Sequence, residues 1–158
     1  MKYLILVRGI SGSGKSTFAK KLKGILETTK HKVVHYETDD YFMNDGVYKF
    51  NPDNVHKFHT ENQKRTFDAL NNPYIDVVIV SNTFVKLWEL KPYMEYALNN
   101  NIKVLVYEMK QEFKNEHDVP KEHIERMKNR FTSKEKFLQA YPSTTYERIK
   151  WKNLVYKK

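Results

Sequence analysis

Eight residues constrain this chain more than any others: Gly9-Ile10-Ser11-Gly12-Ser13-Gly14-Lys15-Ser16, set between a short apolar run and an amphipathic stretch. They match the full Walker A pattern, and the flanks are the strand and helix that pattern requires. Glycines at this spacing let successive backbone N–H groups turn inward as an anion nest, and the following helix adds the positive end of its dipole. The pattern therefore predicts a phosphate cradle formed by Gly9, Ser11, Gly12, Ser13, Gly14, Lys15, Ser16 and Thr17, with Lys15 reaching the outer phosphates and Ser16 giving an oxygen to magnesium. A dinucleotide site is disfavoured, because Thr17 stands where that fingerprint needs its third glycine. ATP with Mg2+ is the expected cofactor pair, and no guanine-reading NKxD motif is present.

The rest of the chain alternates between two periods. Tyr3 to Val7 reads as a strand buried on both faces; Phe18, Ala19, Leu22, Ile25 and Leu26 then recur at helical spacing. Val33 to Glu37 reads as a second strand. Asn51-Pro52 opens a long helix marked by Val55, Phe58, Thr66, Ala69 and Leu70, and Asn71-Asn72-Pro73 stops it. Ile75 to Val80 is a third strand, Leu90, Tyr93, Met94 and Ala97 mark a helix with Pro92 in its first turn or at a kink, and Ile102 to Tyr107 is a fourth strand. Beyond Pro120, Ile124, Met127 and Phe131 continue a helical stripe, and Asn153 to Tyr156 is a candidate last strand. Such alternation predicts an α/β layer fold with a mostly parallel sheet, right-handed crossovers and a ligand at the carboxyl ends of the strands.

With 158 residues and 40% of them hydrophobic, one domain spanning residues 1–158 is expected. There are no cysteines, so neither disulfides nor thiolate metal sites contribute. The apolar run before Arg8 is too short for a signal-peptide core or a membrane span, and the expectation is a soluble, cytoplasmic protein. Of the net charge of +9, residues 121–158 carry +7, from 11 Lys/Arg against 4 Asp/Glu. That asymmetry suits a polyanionic partner and equally suits a solvated lysine-rich face.

Thr38-Asp39-Asp40 follows the second strand directly and so falls on the same sheet edge as the glycine loop. A carboxylate there can accept the proton of an attacking hydroxyl, while its neighbour holds magnesium water or braces the loop. An Asp-built turn is the plainer alternative. Arg126 and Arg130, four apart, share a helical face from which both could neutralise charge on a triphosphate, or simply pair with Glu122 and Glu125. His56 and His59 have helical spacing for a metal pair but lack a third ligand, so an exposed helix face is expected. Phe131, Phe137, Tyr141, Tyr146 and Trp151 punctuate the basic tail, as core residues or as base-stacking platforms.

Together the stretches Arg8-Gly9 through Ser16, Thr38-Asp39-Asp40-Tyr41-Phe42, Phe50-Asn51-Pro52, Asn62-Gln63-Lys64-Arg65, Ser81-Asn82-Thr83, Trp88-Glu89-Leu90-Lys91-Pro92-Tyr93 and Val119-Pro120 through Met127 resemble the polynucleotide-kinase-like branch of the P-loop kinases. Within it they are most similar to AAA-type ATPase, kinase-like domains related to that of a ubiquitin-ligase-binding protein. The resemblance implies a three-layer P-loop NTPase fold with a short lid. It also implies transfer of the γ-phosphate of ATP to a hydroxyl, the 5′-OH of DNA or RNA being the expected acceptor. It assigns Asp39 as general base, Lys15 and Ser16 to ATP and magnesium, and Asn82-Thr83 to the γ-phosphate side.

The chain departs from that pattern in three places. Relatives usually carry an acid in the Ser81-Asn82 pair, where both residues here are neutral, so metal ligation is expected from Ser16 with Asp39 or Asp40. Phe42 or Met43 stands where many polynucleotide kinases place an acceptor-holding arginine. The lid between Glu108 and Pro120 is short, with Lys114, Arg126 and Arg130 as its candidate cations. A kinase of small metabolites or nucleosides, and a non-catalytic ATP-dependent nucleic-acid-binding module, are the alternative readings.

Overall fold

The computed structural model describes residues 2–110 and 119–150. Strand β1 (Tyr3–Arg8) is buried from Leu4 onward. It lies mid-sheet, paired in parallel with β5 (Val77–Ser81) on one side and β6 (Lys103–Met109) on the other. With β2 (Val33–Tyr36) and β7 (Thr145–Ile149) the sheet runs β2-β5-β1-β6-β7, every pairing parallel. Alternate side chains of β1 enter opposite layers: Leu4 and Leu6 join Val78, Val80, Leu90 and Met94, whereas Ile5 and Val7 join Phe18, Ala19, Val77 and Ile79. This two-sided burial is why the strand reads as an unbroken apolar run, and it is the three-layer α/β fold expected from the sequence.

Helix α1 (Lys15–Thr28) follows β1 and buries Phe18 and Ala19; Ile25, expected in the same stripe, is 60% exposed in the last turn on the stripe's flank. After β2, a 3-10 turn (Thr38–Phe42) leads into a hairpin of β3 (Met43–Asn44) and β4 (Val47–Tyr48). Asp45 and Gly46 turn that hairpin with positive φ, 51° and 79°, a conformation that favours such a pair. A 3-10 turn at Pro52–Asn54, on which Asn51 Oδ1 accepts from the Asp53 N–H at 3.0 Å, opens α2 (Val55–Leu70). Helix α3 (Leu87–Asn99) contains Pro92 in its interior, and α4 (Lys121–Arg130) and α5 (Lys134–Ala140) precede β7.

The tail aromatics resolve toward the core. Phe137 and Tyr146 are buried in the main apolar cluster and have no free face for a base, and half-buried Tyr141 packs against that cluster. Trp151 and the candidate strand Asn153 to Tyr156 lie outside the described residues; the last described strand is β7, Thr145-Tyr146-Glu147-Arg148-Ile149, whose two apolar residues face opposite layers, Tyr146 in one cluster and Ile149 against the other.

Arg8, at the end of β1, is completely buried. Its guanidinium donates to Phe84 O from both Nε (3.0 Å) and Nη2 (2.6 Å), and to Val85 O, Thr132 O and Tyr146 Oη, while lying 3.8 Å from the centre of the Phe131 ring. Tyr146 Oη in turn donates to Glu108. One side chain thus ties β1 to the segment after β5, to the α4–α5 connection and to β7. Arg8→Met would orphan two buried carbonyls, Phe84 O and Thr132 O, while Val85 O keeps the Thr132 N–H, and it is expected to lower unfolding stability by roughly 3 kcal/mol. Urea denaturation of the variant beside wild type measures that loss.

Candidate active site

The loop between β1 and α1 is built by close approach. A Cβ on Gly9 would collide with Ser13 Oγ and meet Met109 O at 3.1 Å, so only glycine lets β1 and β6 converge beneath the loop. Gly12 and Gly14 take positive φ (82° and 87°), and Gly14 caps α1. This backbone aims the N-terminus of α1 into the groove. Lys15 folds back to donate to Ile10 O at 3.0 Å. Burial pulls its ammonium pKa from the ordinary 10.5 down to about 8, against the opposing fields of Asp39 and Glu37. Ser11, Gly12, Gly14, Lys15, Ser16 and Thr17 line the groove; Ser13 is buried under the loop and Gly9 forms its base.

The opposite wall comes from the end of β2. Arg65 of α2 stacks on Tyr36 and Tyr41 and donates to Glu37 O, Asn62 Oδ1 and Asp40 Oδ2, each at 2.9 Å. Asp40 also accepts from Glu37 N at 3.3 Å. Its carboxylate therefore braces the turn, one of the two roles expected for it, and is not among the residues lining the groove, where the alternative metal role would need it. Asp39 does line the groove, with Tyr48 donating to its Oδ1 at 3.3 Å. Burial, reinforced by this carboxylate, pushes the Tyr48 phenol up to about 12, so it remains a donor to Asp39.

A third acid stands there that the sequence reading passed over as the last residue of a strand. Glu37 Oε2 accepts from Ser16 Oγ at 2.5 Å and from Ser81 Oγ at 2.9 Å. On the floor, Asn82 Oδ1 accepts from Thr38 N at 2.9 Å, while Asn82 Nδ2 is buried with no partner among the described residues. A buried amide donor without an acceptor, next to a loop of inward N–H groups, fits an anionic ligand. Ser16 Oγ with nearby carboxylates offers the hard oxygen donors a divalent cation prefers. The residues present thus suit a nucleotide with a metal ion.

Comparison with known proteins agrees with this geometry. A family model described as an AAA domain matches residues 4–134. The chain belongs to this P-loop kinase-like family. Human NEDD4-binding protein 2 is 36% identical over 133 residues, 78% of this chain but only 7% of the relative, so the similarity concerns one small part of that protein. An uncharacterized protein of Pasteurella multocida (strain Pm70) is 32% identical over 126 residues, covering 75% of this chain and 70% of the relative. Among solved structures, Chaetomium thermophilum Kti12 in complex with ADP-AlF3 shares the fold with a TM-score of 0.60 at 14% identity, over 94% of this chain and 89% of that one. The Pnkp1/Rnl/Hen1 RNA repair complex matches with a TM-score of 0.52 at 22% identity, over 82% of this chain and 36% of that one. P-loop kinase-like domains bind a nucleotide with a metal ion, and the loop at residues 9–16 is where this one would do so.

The remaining wall of the AAA-domain groove is largely apolar. The groove, about 1000 Å³, continues from the glycine loop past Asp39 to Phe42, Tyr48, Phe50, Pro52 and Val55, and is closed from above by Val119, Pro120, His123 and Met127. His59 faces it, bonded to Thr38 Oγ1 at 3.1 Å, whereas His56 is exposed; the two do not form a metal pair. Arg126 and Arg130 lie on α4, whose His123 and Met127 reach the groove, but both arginines point to solvent, and Arg126 contacts His123 at 3.2 Å. Lys114, Asn115 and His117 lie outside the described residues. Among the described residues no helix is long and apolar enough to cross a membrane.

Proposed function

We propose that this domain is an ATP-dependent kinase that transfers the γ-phosphate to a hydroxyl group, with the 5′-hydroxyl end of a polynucleotide as its acceptor. The observation that carries the reading is that Asp39 and Lys15 line one groove that runs on, without a break, into an aromatic chamber. Lys15 and the N-terminal backbone of α1 are suited to hold the phosphates, and Asn82 Nδ2 supplies a further buried donor on the same side. A bound divalent cation would neutralise charge on the phosphates, with Ser16 as one of its oxygen donors. Asp39 accepts the proton of the acceptor hydroxyl. The freed oxygen attacks the γ-phosphorus as the bond to the β–γ bridging oxygen breaks, and ADP departs. Lys15 offsets the charge that moves onto the bridging oxygen, and Tyr48 holds Asp39 in place.

Two features are compatible with a nucleic-acid acceptor. Phe42, Phe50 and Tyr48 give the outer chamber a wall suited to a base, with Phe50 58% exposed. Helix α4, which closes the groove, carries Lys121, Arg126, Lys128 and Arg130 against Glu122 and Glu125, and the chain after it is also basic, although Lys128 and Arg148 are partly used in pairs with Glu125 and Glu135. The likeness in fold to the Pnkp1/Rnl/Hen1 RNA repair complex is consistent with this. The aromatic wall suits a nucleoside equally, so the discriminating quantity is salt dependence. If backbone phosphates are neutralised by the tail, affinity for a 5′-hydroxyl oligonucleotide should fall with a log–log slope of about −0.7 per phosphate engaged. Binding of its terminal nucleoside should change little. Charge reversal at Lys134, Lys136, Lys150 and Lys152 should weaken the oligonucleotide selectively. Equal slopes for the two acceptors, with no selective loss in the variant, would replace the polynucleotide reading by a small-molecule kinase.

A further inference from the structure

Strand β5 ends in Ser81, at the place in the sheet where a P-loop domain needs a carboxylate near its metal, and Ser81 has only a hydroxyl to offer. The parallel register of β2 with β5 sets Tyr36 opposite Val80, so the next residue of the β2 chain, Glu37, comes level with Ser81. Its side chain crosses toward β5, and a single oxygen, Oε2, accepts from both Ser81 Oγ and Ser16 Oγ. His35 closes the far side, its Nε2 2.6 Å from Ser81 Oγ and 3.9 Å from Glu37 Oε2. The Glu37 side chain is only 16% exposed, on the groove wall between the glycine loop and the sheet floor. The one cationic group within ion-pairing distance of this carboxylate among the described residues is His35, at 3.9 Å, and the Glu37 side chain also takes part in the capping box of the turn at Thr38–Phe42. Neither contact requires that Oε2 also gather the hydroxyls of Ser16 and Ser81 at the mouth of the glycine loop.

We propose that Glu37 is the acid of the metal site, supplied from the strand neighbouring the one that ends in Ser81, and that it acts with Ser16. By accepting the Ser16 hydroxyl proton, Oε2 leaves the lone pairs of Ser16 Oγ for a cation, and the carboxylate adds negative charge beside it, where it can take a metal-bound water as acceptor. Ser81 then serves to orient Glu37 and has no direct part in holding the cation. This deepens the kinase reading and rests on its claim that the groove binds a nucleotide with a divalent cation.

The test measures binding and leaves turnover aside. Affinity for a fluorescent, non-hydrolysable ATP analogue is read in EDTA and in excess Mg2+, and Mn2+ binding to the protein–analogue complex is read by electron paramagnetic resonance. Wild type should bind the analogue more tightly with metal. Glu37→Gln, close to isosteric, should lose about 10-fold or more in Mn2+ affinity and most of the Mg2+ enhancement, while its affinity in EDTA stays equal or improves because a negative charge beside the phosphates is gone. The double variant Glu37→Ser, Ser81→Asp places an acid at the same corner from the other strand and should recover most of the Mn2+ affinity. Glu37→Gln retaining wild-type Mn2+ affinity and metal enhancement would overturn the proposal while leaving the nucleotide site standing. Failure of wild type to bind the analogue under any condition would overturn the nucleotide reading itself. Should Glu37→Gln bind poorly in EDTA as well, Glu37→Asp decides: Mn2+ affinity well above that of the Gln variant supports a metal role, and equal loss in both contradicts it.

Discussion

Replacing Lys15 with Ala is expected to reduce phosphate transfer by roughly 10³-fold or more while leaving the domain folded. The ammonium sits half-buried inside the glycine loop, held by Ile10 O, where burial lowers its pKa. Once a nucleotide fills the loop, a fixed positive charge stabilises the charge that develops on the leaving oxygen far more than it would in water, and among the described residues no other Lys or Arg lines the groove. Its contribution to folding is small by comparison, since it caps no apolar surface and relieving its desolvation is favourable in the absence of ligand. Single-turnover transfer from labelled ATP measures the loss, and a circular dichroism melt confirms the fold. Near-normal transfer by the variant would contradict the placement of the phosphates in this loop.

Asp39→Asn should lower transfer by roughly two to four orders of magnitude with nucleotide affinity little changed. The substitution keeps the shape and can still meet Tyr48, but an amide cannot accept the proton of the acceptor hydroxyl. Asp40→Asn makes the informative control. Because Asp40 is paired with Arg65 and accepts from Glu37 N, its replacement should loosen the turn that carries Asp39, giving a milder loss and a lower melting temperature. If Asp40→Asn caused the larger catalytic loss without destabilisation, the proton acceptor would be Asp40.

How much of this was legible in the sequence depends on how local each feature is. The glycine loop could be read outright, because its function lies in consecutive backbone amides whose geometry Gly9, Gly12 and Gly14 permit. The position of Asp39 on the groove edge followed from the alternation of strand and loop. Glu37 did not, since its contact with Ser16 and Ser81 requires that β2 lie beside β5, and strand order is not written in any local pattern. For Asp40 the sequence leaves two roles open, holding magnesium water or bracing the loop, because the partner that decides between them, Arg65, is 25 residues away on α2. Arg8 read as the polar end of a strand, and only the convergence of three later segments explains its burial. The hairpin at Asp45-Gly46 was the exception, as that dipeptide is a turn signal that sequence alone could have used. Edge strand β7 carries too few apolar residues to stand out.

Transfer of label from γ-labelled ATP to a panel of acceptors bears on the central claim most directly. The panel needs 5′-hydroxyl DNA and RNA oligonucleotides, the same oligonucleotides already bearing a 5′-phosphate, nucleosides and small alcohols, each incubated with wild type and with Asp39→Asn. Label is expected on 5′-hydroxyl oligonucleotides, none on those already phosphorylated, with a drop of at least about 100-fold for the variant. Label on nucleosides or small alcohols in preference to every oligonucleotide, or nucleotide binding with no transfer to any hydroxyl, would contradict that claim.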